Sequence, residues 1–142
     1  MTDVAFHFNA PNKPAYACRL LRKAVGSGSR VVVTAGGEEL RQLDTLLWTF
    51  SQLDFVAHAL QSGDPAVVAA SPVVLSESLA DPPHQQVLLN LGPNVPEGFE
   101  RFERLIEVVS LDEADRQLAR IRWKHYAGCG LAITRHDLNL KS

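Results

Sequence analysis

Hydrophobic residues along this chain switch between two periods, and the switches mark out the elements. Val4 to Asn9 (Val-Ala-Phe-His-Phe-Asn) is short and β-rich, and Pro11 and Pro14 separate it from the next segment. It predicts a first strand. From Ala15 to Gly26, at about 100° per residue, Ala17, Leu20, Leu21 and Ala24 share one face while Arg19, Arg22 and Lys23 lie opposite. An amphipathic helix is expected there, ended by Gly26-Ser27-Gly28-Ser29. Arg30 to Ala35 is then an apolar run of the kind buried on both faces of a parallel sheet. Gly36-Gly37 leads into Glu38-Glu39, acids where a helix N-terminus favours them, with Leu40, Leu43, Leu46, Leu47 and Phe50 as the stripe behind.

The second half is more broken. A short extended piece near Phe55 is followed by a turn at Gly63-Asp64-Pro65, a strand at Val73 to Leu75, and a Pro-rich turn at Asp81-Pro82-Pro83. Val87 to Leu91 reads as a core strand, Phe99 to Phe102 as one helical turn, and Leu105 to Val109 as a further strand. Ser110 precedes a helix to about Ala127, and Leu131 to Thr134 suits an edge strand. Strands alternating with helices on fully apolar runs predict a doubly wound α/β fold. Residues 1–142 are expected to form a single domain around a mainly parallel sheet, with helices on both faces.

Composition narrows the classes. At 142 residues, 46% hydrophobic and 21% charged, the chain suits one globular domain. Its formal charge of −2 supplies no overall field for a polyanion, so a non-specific nucleic-acid binder is not expected. Cys18 and Cys129 have neither zinc-site spacing nor the density of a disulfide scaffold, which suits a reduced, cytoplasmic chain. No apolar run approaches the roughly 18 residues of a membrane span, and Met1-Thr2-Asp3 does not open an export signal.

Doubly wound sheets bind ligands past the carboxyl ends of their strands. Here the first such turn is Ala10-Pro11-Asn12-Lys13-Pro14, which has no glycine and two prolines that remove N–H donors, so no phosphate cradle and no cofactor are expected. Gly26-Ser27-Gly28-Ser29 lies at the other end of the sheet and reads as a helix cap. The histidines His7, His58, His84, His125 and His136 are scattered, with no metal-ligand spacing and no evident carboxylate partner. No nucleophile elbow appears, and the carboxylates look spread singly over helix surfaces. The expectation is a chain with no catalytic and no metal-binding residues.

The last helix is the informative segment. Leu111, Ala114, Leu118 and Ile121 form a stripe expected to face the sheet. Arg116, Arg120 and Lys124 recur every four residues about 120 to 220° away from it, with Trp123 beside them. Four basic residues and no acid lie between 116 and 124, so this ridge gathers positive charge on an otherwise acidic chain. Two readings stand: a solvated face with Trp123 covering a loop, or a site where guanidinium and ammonium groups hold a carboxylate and the indole walls an adjoining apolar group. Trp48 also lies off its helix's apolar stripe, ahead of Phe50, Leu53, Phe55 and Val56. These residues either pack under the following loop or form a patch for a partner protein.

In order and spacing the chain resembles the chi subunit family of bacterial DNA polymerase III nearly end to end. The likeness is carried by Phe6-His7-Phe8, Arg30-Val31-Val32-Val33, Leu43 to Phe50, Phe55-Val56-Ala57-His58, Pro72 to Leu75, Val87 to Leu91, and Phe99 to Val109 leading to Arg120, Trp123 and Lys124. The resemblance implies a noncatalytic subunit with a Rossmann-like sheet that binds no nucleotide. It also implies a bridge between the psi subunit of the clamp loader and the acidic C-terminal tail of single-stranded DNA-binding protein, whose last residue is aromatic with a free carboxylate.

By the family pattern Arg120 would hold that carboxylate, and Lys124 would attract upstream aspartates. Trp123 and Val109 would border the aromatic pocket, with Arg116 on the same basic ridge. Trp48 and Phe55 match the surface for psi or for a helicase-like alternative partner, and nucleic acid would be met only indirectly. Trp123 stands where the family has tyrosine, Ala57 where it has proline, and the tail after Gly130 departs most. Two other classes remain as alternatives: direct single-strand binding through the same aromatic and basic residues, and a nucleotide-using enzyme on this fold.

Overall fold

The computed structural model describes residues 2–49 and 57–138. The elements in chain order are β1 (Asp3–Ala10), α1 (Lys13–Gly26), β2 (Val31–Thr34), α2 (Gly37–Thr49) and β3 (His58–Leu60). They continue as α3 (Pro65–Ala70), β4 (Val73–Leu75), β5 (Val87–Asn90), a one-turn 3-10 helix (Phe99–Arg101), β6 (Arg104–Ser110), α4 (Glu113–Gly128) and β7 (Ile133–Asp137). The strands form one seven-stranded sheet in the order β3-β4-β2-β5-β6-β1-β7. Every described pairing is parallel, so the doubly wound α/β expectation holds.

Two prolines do the opposite of what a simple breaker reading expects. Pro14 sits in the first turn of α1, where its missing N–H costs nothing, and the Asn12 side chain caps the helix by accepting from the Ala15 N–H at 3.0 Å. Helix α1 therefore starts at Lys13 rather than Ala15. Pro65 opens α3 in the same way behind an Asp64 cap, so Gly63-Asp64-Pro65 is a helix start and not only a turn. Six residues are too few for a helical period to show in sequence.

Helices α1 and α2 cover one face, where Cys18, Leu21, Leu40, Leu43 and Leu47 pack on Val31, Val33, Leu89 and Val108. Leu46, read as part of that stripe, is 38% exposed, and Phe50 lies outside the described residues. The other face packs Phe6, Val32, Leu88 and Leu105 against Phe99, Phe102, Ala119 and Tyr126. β7 is an edge strand, as expected, but begins at Ile133 and pairs with β1 alone.

The main departure is the rotation of α4. Leu111, Leu118 and Ile121, expected to face the sheet, are exposed, Ile121 by 64%. The buried face instead carries Ala119, Arg122 and Tyr126, turned about 90° around the helix from the apolar stripe. Arg122, counted with the basic ridge, is 1% exposed. The cause is Glu107, a completely buried carboxylate in the middle of β6.

Arg122 Nε donates to Glu107 Oε1 at 3.0 Å, while the Tyr126 hydroxyl and Asn90 Nδ2 donate to Oε2 at 2.6 and 3.0 Å. Arg122 Nη1 reaches on to the Pro93 carbonyl at 2.9 Å, but its Nη2 finds no hydrogen-bond partner. Complete burial pushes the Glu107 carboxyl above its ordinary range, against the downward pull of Arg122 and the two other donors. Burial and the neighbouring carboxylate push the Tyr126 hydroxyl up, so it stays protonated and donates. A buried charge of this kind is tolerable only when paired, and that need outweighs the apolar stripe in orienting the helix.

Glu107→Leu strands the Arg122 charge and is expected to cost about 3–5 kcal/mol in urea unfolding. Glu107→Leu with Arg122→Met, which removes both charges, should recover most of that loss. A single variant as stable as the double one would show that the pair does not seat α4.

Candidate binding crevice

The connectivity decides where a crevice opens. β1 feeds α1 on one face and its neighbour β6 feeds α4 on the other, so the chain leaves their carboxyl ends in opposite directions. This is a topological switch point, the place where doubly wound sheets bind ligands. Asn9, the last residue but one of β1, adopts a left-handed conformation (φ 66°), and the β1–β6 register shifts between His7 and Ala10. The Asn9 amide then donates to Asp137 at 2.8 Å, tying the end of β1 to the edge strand.

Between these strands and α4 lies a cavity of about 510 Å³. All five sequence-predicted residues of the basic site line it: Val109 at the end of β6, and Arg116, Arg120, Trp123 and Lys124 on α4. The rotation of α4 explains why. Once Ala119 and Arg122 point inward, Arg116 and Trp123 fall on the helix shoulder instead of its outer face. One flank of the ridge therefore walls a crevice, while Arg120 and Lys124 stay open to solvent at its rim. Trp123 packs its ring 4.9 Å from Phe6, and Phe6 and Phe8 extend the aromatic floor.

Sequence reasoning missed Phe6, Phe8 and Arg135. Arg135 lies in the divergent tail, from which the family resemblance carried nothing over. No local pattern signalled it, because β7 comes beside Phe6 and Phe8 only in the folded sheet. The ridge also has one acid within reach, because Glu113 Oε1 lies 3.8 Å from Arg120 Nη1. Both side chains are 64% exposed, so the pair is weak and yields readily to another carboxylate.

The mouth of the crevice is braced from beneath. Asp112 caps α4 by accepting from the Asp115 N–H, and Asp115 accepts from both the N–H and hydroxyl of Ser110 at 2.8 and 2.9 Å. Lys13, at the start of α1, reaches Asp115 at 3.3 Å and links the two helices that diverge from the switch point. Burial raises the Asp115 carboxyl, but the Ser110 donors and Lys13 outweigh it and hold the group below its usual range.

A second feature stands at the opposite edge of the sheet. Trp48 on α2 is 61% exposed and meets the His58 ring edge-on at 5.3 Å. Beneath it His58 Nε2 lies 3.0 Å from Asp44 Oδ1, a carboxylate partner not evident from sequence because α2 and β3 bring together residues 14 positions apart. Phe55, the other residue read into this patch, lies outside the described residues. Among the described residues no group of three His, Cys, Asp or Glu gathers as a metal site, and no helix is long and apolar enough to cross a membrane.

Fold and crevice together define a doubly wound α/β domain with a cationic, aromatic-floored crevice at its switch point. The chain belongs to the DNA polymerase III chi subunit family: the family model described as DNA polymerase III chi subunit, HolC, matches residues 1–134. It is similar to the DNA polymerase III subunit chi of Pseudomonas aeruginosa, 34% identical over 97% of this chain and 98% of that one. The subunit of the same description from Haemophilus influenzae is 29% identical over 76% of this chain and 75% of its own length.

One chain of a solved S. cerevisiae assembly of dbp5 with nup159, gle1, ip6 and adp has a TM-score of 0.64 at 14% identity. This chain is covered over 97% and spans 42% of that one, a likeness of fold alone. Family membership makes the chain a noncatalytic accessory subunit in DNA replication.

The depressed Asp115 carboxyl contributes stability that is complete above the ordinary carboxylate value of about 4 and is lost as pH falls through its lower folded value. Asp115→Asn should therefore unfold more readily than the parent at pH 7, with the difference shrinking in acid. Parallel pH–stability curves from thermal melts would refute this bracing role.

Proposed function

We propose that this chain bridges two proteins of the replication machinery. The switch-point crevice holds the acidic C-terminal tail of single-stranded DNA-binding protein, and Trp48, with Phe55 as the second residue assigned to this contact by the family pattern, docks the psi subunit of the clamp loader or a helicase-like protein in its place. The whole chain acts as one module, in the cytoplasm, and meets nucleic acid only through its partners.

The observation that carries this reading is the convergence of Arg116, Arg120 and Lys124 beside Trp123 and Val109 in a single crevice. A terminal carboxylate takes two parallel N–H bonds from a guanidinium, and Arg120 is the cation between the other two along α4. The preceding acidic side chains meet Lys124, while the terminal aromatic ring packs on Trp123 over Val109 and Phe6. A charge-assisted bond contributes on the order of 1.5–3 kcal/mol and a buried apolar anchor a similar amount, which suits affinity on the order of micromolar.

The two surfaces lie toward opposite edges of the sheet, Trp48 beside β3 and the crevice between β6 and β7. Strand spacing puts them on the order of 20–30 Å apart, room for two partners at once.

Fluorescence anisotropy with a labelled acidic peptide ending in Asp-Phe tests the first contact. Saturable binding that needs the free carboxylate, and that weakens at least about tenfold in Arg120→Ala, is expected. Equal binding of the amidated peptide, or unchanged affinity in Arg120→Ala, would overturn the assignment.

A further inference from the structure

Trp123, which lines the crevice from α4, is held from two strands. On one side its ring packs 4.9 Å from that of Phe6 on β1. On the other stands Arg135 of β7, which pairs in register with Phe6 and so carries its side chain on the same face of the sheet. The Arg135 guanidinium carbon lies 5.9 Å from the centre of the Trp123 ring and 5.1 Å from that of Phe8. Among the described residues no carboxylate lies within ion-pair distance of it. The cation is thus directed at aromatic faces, an attraction that is largest for an indole.

We propose that Arg135 is a positioning residue for the crevice: it fixes the Trp123 indole in the orientation that receives a ligand's apolar group, and it acts on the ligand through that ring. This rests on the reading of the crevice as the tail site. Trp123 is half-buried on the shoulder of α4, so packing on Phe6 alone restrains one side of its ring. A ring free to turn about its two side-chain torsions has to be ordered by each ligand that arrives, and that ordering weakens binding. Arg135 restrains the ring before the ligand comes. It also ties the edge strand to α4, since one guanidinium meets the rings of both Phe8 and Trp123. Because the effect passes through the ring, it is the same for every ligand whose apolar group seats on Trp123, whatever charge the rest of that ligand carries.

The test compares the full chain with Arg135→Gln, which removes the cation, and Arg135→Lys, which keeps one. In nitrogen–proton correlation spectra the two tryptophans give two indole N–H signals, and Trp123→Phe identifies which is which. Arg135→Gln should move and broaden the Trp123 signal and leave that of Trp48 in place. Each protein is then titrated with two labelled peptides that end in phenylalanine with a free carboxylate, one rich in acids upstream and one with half of those acids replaced by serine. Arg135→Gln should weaken both by the same factor, about two- to fivefold, the range of one exposed cation–π contact. Arg135→Lys should recover part of the affinity and of the indole signal. Arg135 is exposed, and a thermal melt as cooperative as that of the wild type confirms that each variant folds.

A loss that is larger on the more acidic peptide would make Arg135 a direct contact to the ligand's charges and overturn the proposal. So would unchanged or tighter binding by Arg135→Gln, or a Trp123 indole signal that stays where it was. Failure of the wild type to bind either peptide would instead overturn the tail reading, while the indole signal alone would still decide whether Arg135 holds the ring.

Discussion

A carboxylate buried in the middle of the sheet has to be answered by a cation, and that requirement sets the geometry of the crevice. Glu107 sits on a strand covered on both faces, so its partners come from the packed helix and the neighbouring strand rather than from solvent. Arg122 and Tyr126, four residues apart on α4, provide the charge and a hydroxyl from one face of the helix, and Asn90 closes the arrangement from the neighbouring strand. Burying a charge pair contributes little net stability over an apolar replacement. Its effect here is on orientation. With Arg122 fixed inward, Arg116 and Trp123 fall on the shoulder of α4 beside the carboxyl ends of β1 and β6, and Arg120 and Lys124 form the exposed rim above them.

The location of the crevice follows from connectivity and its character from a few side chains. A switch point supplies a cleft in any doubly wound sheet, and what fills the cleft differs. In nucleotide-binding versions a glycine-rich turn lets phosphate approach the backbone. Here the corresponding turn carries Pro11 and Pro14 and serves to start α1, while the floor is aromatic and the walls are cationic. The proposed ligand, a chain end that carries both charge and an apolar ring, matches that lining.

The fold class was legible because parallel strands buried on both faces write themselves as unbroken apolar runs, as in Val31 to Thr34 and Val87 to Asn90. The register of α4 was not. Its hydrophobic periodicity points to Leu118 and Ile121, whereas its buried face is half polar, and periodicity weighs Arg122 and Asp115 as surface residues. The charge at Glu107 inside an apolar strand was the visible sign that a cation had to come inward. Arg122 leaves the basic group for the core, while Arg116, Arg120, Trp123 and Lys124 line one cavity because they stay neighbours whichever way the helix turns. Arg135 escaped because contacts across the β1–β7 ladder join residues far apart in sequence, which no local pattern encodes.

The crevice is walled on one side by a helix locked into the core and on the other by a strand with a single neighbour. Edge strands open at lower free energy than the strands they flank. Any molecule that touches both walls becomes a cross-link between a core-packed helix and an edge strand. Occupancy then suppresses fraying of β7 and raises the melting temperature with ligand concentration, so that a bound tail would act as one more strut of the sheet.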